Sequence, residues 1–428
     1  MKPRYILLLL AFALFSCAEE KTEVAVTNPE DYNKYLATDN QTTHTNAMAE
    51  RDFWNNKLSV DTTGVGSLGP LAGAYSTLFE TTGNAKNLYK AEELYKKAIE
   101  NSAHNKDAYV RGLARNYISQ HRFKDAETIL EKSYNGISNK KATRLMLFDV
   151  YMELGKYAEA QEMLEKIKNM SDYNYLIRQA KWNDYKGDLD GAINFLEKAR
   201  DIADSRKSRP LQLWTYTNLG DYYGHAGRIK DAYNQYIKAL NIQPDNAYAL
   251  KGIAWITYSA EKDTAEAVRI LDSISTHHDV PDYLLLRSEM AEFEGDTQAS
   301  NQYADQFLEK INAGDYGAMY NAYLIEAYAS SNPEKALQIA NTEVENRATP
   351  EAYHLLALAQ LKNGDKEKAL TTIKNHVKGK THEPMALYHT ALVYKANDMP
   401  EAVKPIKEEL MEASFELGPI MHKKIQAL

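Results

Sequence analysis

The chain of 428 residues carries 51 Lys and Arg against 59 Asp and Glu, a formal net charge of −8, and this acidic balance disfavours nucleic acid as a partner. It contains one cysteine, which excludes an intrachain disulfide and a multi-cysteine metal site. Hydrophobic residues make up 44% of the chain, enough for a packed core, and its 20 glycines and 12 prolines are few, which is typical of long helices joined by short turns.

Residues 1–16 have the features of a signal peptide. Lys2 and Arg4 precede an apolar run, residues 5–15, which is too short to cross a hydrocarbon core of about 30 Å. The single cysteine, Cys17, follows at the position where such a signal is cleaved. This arrangement resembles the lipobox of bacterial lipoproteins and implies a lipid anchor on Cys17 in the outer membrane, on its periplasmic face or at the cell surface. A plain secretory peptide with an incidental cysteine is the alternative.

Two short segments precede the main body of the chain. Residues 17–45 are rich in Thr, Asn, Asp and Gln, and we expect them to form a polar tether. Residues 46–69 predict an N-terminal helix followed by a linker. The linker contains a literal G-x-G-x-x-G, Gly64–Gly69, but a dinucleotide site needs a preceding strand, and a helix is expected there instead.

Residues 70–412 contain a nine-residue string that recurs ten times, in steps of 32 to 40 residues. Each copy has alanine in the second position and, four positions later, an apolar or aromatic residue on the same face of a helix. Alanine at this position allows two helices to approach closely. In four copies a glycine lies five residues before the alanine, where it ends the preceding helix in a left-handed conformation. The recurring alanines are Ala91, Ala126, Ala160, Ala192, Ala232, Ala267, Ala299, Ala336, Ala369 and Ala402.

The fifth copy shows most clearly which family the string resembles. It matches the tetratricopeptide repeat signature at Leu219, Gly220, Tyr223, Ala232, Tyr236 and Pro244. The resemblance extends over residues 70–412 and implies an all-α fold: an α-α superhelical solenoid of about ten helix-turn-helix repeats. We expect residues 413–428 to form a C-terminal capping segment, and residues 205–210, within the 40-residue step, to form a protruding basic loop.

In the family that the chain resembles, the first helix of each repeat lines the concave face of the superhelix. Residues 15, 11 and 7 positions before each recurring alanine share one helical face. Their charge alternates between basic and acidic in successive repeats, which suits an extended peptide with its own charge pattern better than a uniformly basic carboxylate clamp. Tyr185 and Trp214 lie outside the packing positions and are candidates for stacking on a glycan. The predicted partner-binding residues are Arg111, Arg115, Asp149, Glu153, Lys181, Tyr185, Trp214, Asp221 and His225.

The sequence lacks the common catalytic and metal-binding motifs. It has no H-E-x-x-H, Walker A or G-x-S-x-G run, and His277-His278-Asp279 is more typical of an exposed turn than of a metal site. We therefore expect no enzyme activity, cofactor or metal. The expected function is a membrane-tethered scaffold or adaptor that binds a protein or peptide partner in the bacterial cell envelope. The alternative is a glycan- or nutrient-binding outer-membrane lipoprotein that works with a transporter.

Overall fold

The computed structural model describes residues 25–36, 41–60, 64–104, 106–136 and 139–428. The predicted signal peptide and Cys17 lie outside these residues. Within the described ranges every regular element is a helix, and none of these helices is long and apolar enough to cross a membrane.

The described chain begins with two N-terminal elements, followed by ten helix pairs, which we call units 1 to 10. The N-terminal elements are α1 (Pro29–Tyr32), which continues into a 3-10 turn (Asn33–Tyr35), and α2 (Thr42–Val60). A last helix, α23 (Ser414–Gln426), follows unit 10. The units are, in order, α3 (Val65–Thr82) with α4 (Lys86–Asn101), α5 (Lys106–Ser119) with α6 (Phe123–Asn135), α7 (Lys140–Glu153) with α8 (Tyr157–Lys166), α9 (Tyr173–Tyr185) with α10 (Leu189–Ser205), α11 (Arg209–His225) with α12 (Ile229–Ile242), α13 (Ala247–Ser259) with α14 (Thr264–Ser275), α15 (Asp282–Phe293) with α16 (Thr297–Ala313), α17 (Asn321–Ser331) with α18 (Pro333–Asn346), α19 (Pro350–Lys362) with α20 (Lys366–Thr372, continued by a π-helical turn, Ile373–Val377), and α21 (Pro384–Ala396) with α22 (Pro400–Glu412).

The recurring alanines explain how each helix pair closes. Eight of the ten are completely buried, and the other two, Ala299 and Ala402, are partly exposed. The aromatic residue four positions later requires space as well: a Cβ placed on Gly220 or on Gly252 would lie 2.5 Å from the ring of Tyr236. The glycines before the alanines adopt the left-handed conformation that ends a helix, as at Gly187 with φ of 77°. The predicted all-α solenoid of ten repeats is confirmed.

Later units of the solenoid lie against the turns of earlier ones. Asn346 Nδ2 donates to His121 O at 3.2 Å, which joins the end of unit 8 to the turn within unit 2. Near the C-terminus, Trp255 Nε1 and Ser259 Oγ donate to Phe415 O at 3.2 and 2.6 Å, which places the start of α23 on unit 6. Residues 413–428 were expected only to cap the end of the array. They also pack on a first helix, α13, in the middle of the array.

Three expectations about the connecting segments are wrong. Part of the predicted tether, residues 25–36, packs on units 5 and 6, and Tyr32 is completely buried there. The predicted linker is helical from Val65 onwards, so most of the G-x-G-x-x-G run lies in the first turns of α3 and follows a helix, α2. The basic loop expected at residues 205–210 does not form. Instead α10 and α11 each extend to 17 residues, and only residues 206–208 lie between them.

Candidate functional site: a cleft between early and late units

A cleft of about 630 Å³ opens where units 3 to 5 face the later part of the chain. The ends of the first helices α7, α9 and α11 form one wall. The opposite wall comes from the loops before α19 and α21 and from the junction of α22 and α23. Its charged lining residues are Glu153, Lys181, Asp184, His225, Arg347, Glu351, Glu383, Glu409, Glu412 and Glu416. We call this space the inner cleft.

An ion network joins the two walls at one end of the inner cleft. Lys181 Nζ lies 2.8 Å from Glu153 Oε1, and Arg347 Nη1 reaches the second oxygen of Glu153 at 3.3 Å. Burial alone would raise the pKa of Glu153, but the attraction of Lys181 and Arg347 outweighs it and holds the pKa below its usual value. This carboxylate is thus ionised and already paired.

A second charge pair joins the two walls at the other end of the inner cleft. His225 Nδ1 lies 2.9 Å from Glu416 Oε2 and links α11 to α23. Removal from water opposes the charged imidazole, but the hydrogen bond and the charge of Glu416 raise the pKa of His225 to about 9. His225 is therefore cationic at neutral pH, so the inner cleft holds three cationic side chains.

The carboxylates between these two pairs lack cationic partners. Seven carboxylates line the inner cleft against the three cations. Partial removal from water is the largest cause that raises the pKa of Glu383 to about 7, and repulsion from the charge of Glu416 is the second. Burial likewise raises the pKa of Asp184, although His225 and the hydroxyl of Tyr222 oppose this. A raised carboxyl pKa marks a place where added positive charge is favourable.

Aromatic rings line the inner cleft and a smaller pocket beside it. Tyr157 and Tyr185 stack with ring centroids 4.1 Å apart. The adjoining pocket, of about 310 Å³, is lined by Tyr236, Tyr248, Trp255 and Phe415, with Asp221 in its wall. Asp221 accepts hydrogen bonds at 2.7 Å from the hydroxyls of both Tyr236 and Tyr248.

The structure brings some of the predicted partner-binding residues together and separates others. Glu153, Lys181, Tyr185 and His225 line the inner cleft, and Asp221 lies in the adjoining pocket with His225. Arg111 and Arg115 line a separate cavity of about 470 Å³ near unit 1, where Arg111 pairs with Asp107 at 2.7 Å.

Two predicted residues lie outside these cavities. The carboxylate of Asp149 is paired with Arg178 Nη2 at 2.5 Å. Trp214 is 41% exposed and packs edge-on against Tyr173, with centroids 6.4 Å apart.

Sequence reasoning missed the second wall of the inner cleft. Arg347, Glu351 and Glu383 come from units 8 to 10, more than 120 residues further along the chain than the facing helices. The recurring alanines give a residue's position within its own repeat. They carry no signal for which repeats meet across the superhelix.

A family model for the tetratricopeptide repeat matches residues 183–245, which lie in units 4 and 5 and the turn that follows. No curated protein sequence matches the chain.

Solved structures with a similar arrangement of helices include PilW, a type IV pilus biogenesis factor, with 18% identity over 50% of this chain and 98% of that one and a TM-score of 0.39. A tetratricopeptide repeat protein from Parabacteroides merdae matches at 19% identity over 60% of this chain and 97% of that one, with a TM-score of 0.34. The human IFIT1 dimer with m7Gppp-AAAA matches at 15% identity over 72% of this chain and 70% of that one, with a TM-score of 0.48.

The match of residues 183–245 to the family model and the ten helix pairs define the class: the fold is that of a tetratricopeptide repeat protein, as the sequence predicted. Repeats of this kind form extended surfaces for binding other proteins. The fold is therefore that of a protein-interaction scaffold.

Proposed function

We propose that this protein is a non-catalytic scaffold, anchored by a lipid on Cys17 to the outer membrane of a bacterial envelope, which binds a basic segment of a protein partner in its inner cleft. The observation that carries the proposal is the inner cleft itself, a cavity of about 630 Å³ between two walls of the superhelix, lined by seven carboxylates and three cations. The charged signal segment and the position of Cys17 support the anchor.

The chemistry of the inner cleft favours a partner with Lys or Arg side chains. A cation placed beside Glu383 would relieve its repulsion from Glu416, and neighbouring Glu351 and Glu412 have no hydrogen-bond partner among the described side chains. The stacked rings of Tyr157 and Tyr185 provide an apolar surface for the aliphatic part of such a side chain. Complementary charge also selects against acidic partners.

Peptide binding tests the proposal. We expect short Lys- and Arg-containing peptides to bind residues 18–428, while the same peptides with Glu at those positions do not. The triple variant Glu351→Gln/Glu383→Gln/Glu412→Gln removes charge from the inner cleft and should weaken binding by about tenfold or more. A matched control, Glu100→Gln/Glu334→Gln/Glu367→Gln, removes the same charge from exposed positions elsewhere.

Two results would contradict the proposal. Equal loss of binding in both triple variants would show that only the overall charge matters, and equal retention would place the partner elsewhere. The anchor is tested separately: Cys17→Ser should move the protein from the membrane to the soluble fraction of the producing cells.

The glycan-binding alternative has less support. Aromatic residues in the pocket beside the inner cleft, including Tyr248 at 55% exposure, are suited to stacking on a sugar. However, the connections between units in the described part of the array are short, and that between α16 and α17 has only seven residues, 314–320. No long irregular ligand-binding segment is inserted there.

A further inference from the structure

Residues 25–36, which we call the docked segment, pack on the second helices of units 5 and 6, α12 and α14. Both of its tyrosines are buried, Tyr32 at 0% and Tyr35 at 8% exposure. The hydroxyl of Tyr32 donates to Glu266 Oε1 at 2.7 Å, and that of Tyr35 donates to Asn241 Oδ1 at 2.6 Å. The segment is part of the folded solenoid although it lies more than 200 residues away in sequence from the helices that hold it.

Polar contacts hold both ends of the docked segment as well as its middle. At the start, Thr27 N and Oγ1 donate to the two oxygens of Glu261 at 2.6 and 2.8 Å, and Lys230 Nζ donates to Val26 O at 2.7 Å. At the end, Ser273 Oγ donates to Leu36 O at 2.7 Å. These contacts fix where the preceding part of the chain leaves the surface of the protein.

Docking determines how far the solenoid can move from an anchor on Cys17. Ala25 lies eight positions after Cys17, and a fully extended chain spans at most about 29 Å over eight residue steps. If the segment were free, the 25 residue steps from Cys17 to Thr42 would reach about 90 Å. Docking therefore reduces the reach of the anchor about threefold.

We propose that the outer face formed by α12 and α14 is the membrane-facing surface of this protein, held there by the docked segment. This inference rests on the proposed lipid anchor at Cys17. The inner cleft is walled by the first helices α7, α9 and α11, whereas the docked segment lies on second helices. The two lie on opposite sides of the array, so the partner site faces away from the lipid surface.

Energy transfer on vesicles tests this orientation without depending on lipidation in cells. Cys17 is the one cysteine in the chain, so a maleimide lipid attaches residues 17–428 to phospholipid vesicles at a defined atom. A donor fluorophore is introduced as a non-natural amino acid at Asn234, an exposed position on α12. Acceptor fluorophores are carried by lipid headgroups, and the efficiency of transfer reports the distance of α12 from the membrane.

We expect efficient transfer in the parent protein and at least about a twofold loss in Tyr32→Ala/Tyr35→Ala, because undocking frees the longer tether. Glu30→Ala, at an exposed position in the same segment, is the matched control and should leave transfer unchanged. A second variant leaves docking intact: a Gly/Ser insertion of about 20 residues before Ala25 raises the root-mean-square reach of the tether from about 16 Å to about 29 Å and should also reduce transfer.

Unchanged transfer in both the undocked and the lengthened proteins would overturn the inference, whatever their thermal stability. Because the anchor is attached chemically, this failure would leave the cellular role of Cys17 and peptide binding in the inner cleft unaffected. Conversely, a failure to bind basic peptides would count against the proposed partner site alone, whereas a soluble protein in cells would remove the anchor on which this inference rests.

Discussion

At the residue scale, two charge pairs connect distant parts of the chain across the inner cleft. Glu153 with Arg347 joins unit 3 to the end of unit 8, and His225 with Glu416 joins unit 5 to α23. Both pairs are partly accessible to water, so their chief effect is on position and on local charge rather than on overall stability. They hold the two walls at a fixed separation.

The His225–Glu416 pair predicts a defined pH dependence. A histidine whose folded pKa is about 9, above the usual value near 6.5, contributes stabilisation that is complete below about pH 6.5 and is lost as the pH rises through 9. The protection factors of amides in α23, which compare the measured exchange rate with the intrinsic rate at the same pH, should therefore fall as the pH rises through 9. In Glu416→Gln, loss of the partner should lower the pKa of His225, as followed by NMR of the imidazole.

The neighbouring carboxylate provides the control. Glu412 also lines the inner cleft but makes no contact with His225. Glu412→Gln should therefore leave the titration of His225 near pH 9. If both variants shifted this titration equally, or if Glu416→Gln left it unchanged, the pair would not be the cause of the raised pKa.

Single residues could be predicted from the sequence where local geometry determines them. The buried alanines and the left-handed glycine Gly187 follow from the repeat pattern, because close helix contact and helix termination are local requirements. The two buried tyrosines of the docked segment could not be predicted. They occur in a polar stretch, and their packing partners lie more than 200 residues further along the chain.

At the element scale, the helix pair is the structural unit, and its close contact is sensitive to side-chain volume. Ala232 is completely buried between α11 and α12, and Tyr236 is already confined between Gly220 and Gly252. Ala232→Leu should therefore overpack this pair and lower the free energy of unfolding by about 1–3 kcal/mol. Urea denaturation followed by circular dichroism measures the change.

A matched substitution is available at the same repeat position. Ala299 on α16 is partly exposed, so Ala299→Leu has space for the added atoms and should cost clearly less than Ala232→Leu. Equal effects of the two substitutions would show that burial of the recurring alanine does not govern the packing of the pair.

The sequence predicted the helix pairs and their order, but not the lengths of all helices or the path of the terminal segments. The extra residues near position 205 lengthen α10 and α11, because a helix can absorb an insertion by adding a turn while keeping its packed face. The contact of α23 with Trp255 depends on the pitch of the whole superhelix. Local periodicity does not specify that pitch.

At the scale of the whole molecule, the superhelix brings late units against early ones and so forms a cavity that no single repeat contains. Four of the nine residues predicted to bind a partner line the inner cleft, since the repeat pattern places them on first helices that face this cavity. The other wall depends on contacts between units about six repeats apart, as between Asn346 and His121. Such contacts are global properties of the fold.

The central claim is that the inner cleft accepts positive charge from a partner, and proton release on binding tests it most directly. With a pKa of about 7, Glu383 is about half protonated at pH 7. A bound Lys or Arg side chain lowers this pKa, so binding should release about half a proton, measured by calorimetry in buffers of different ionisation enthalpy. Glu383→Gln should abolish the release, whereas Glu367→Gln, an exposed control, should preserve it. Binding of a basic peptide with no proton release, or with the same release in Glu383→Gln, would contradict this account.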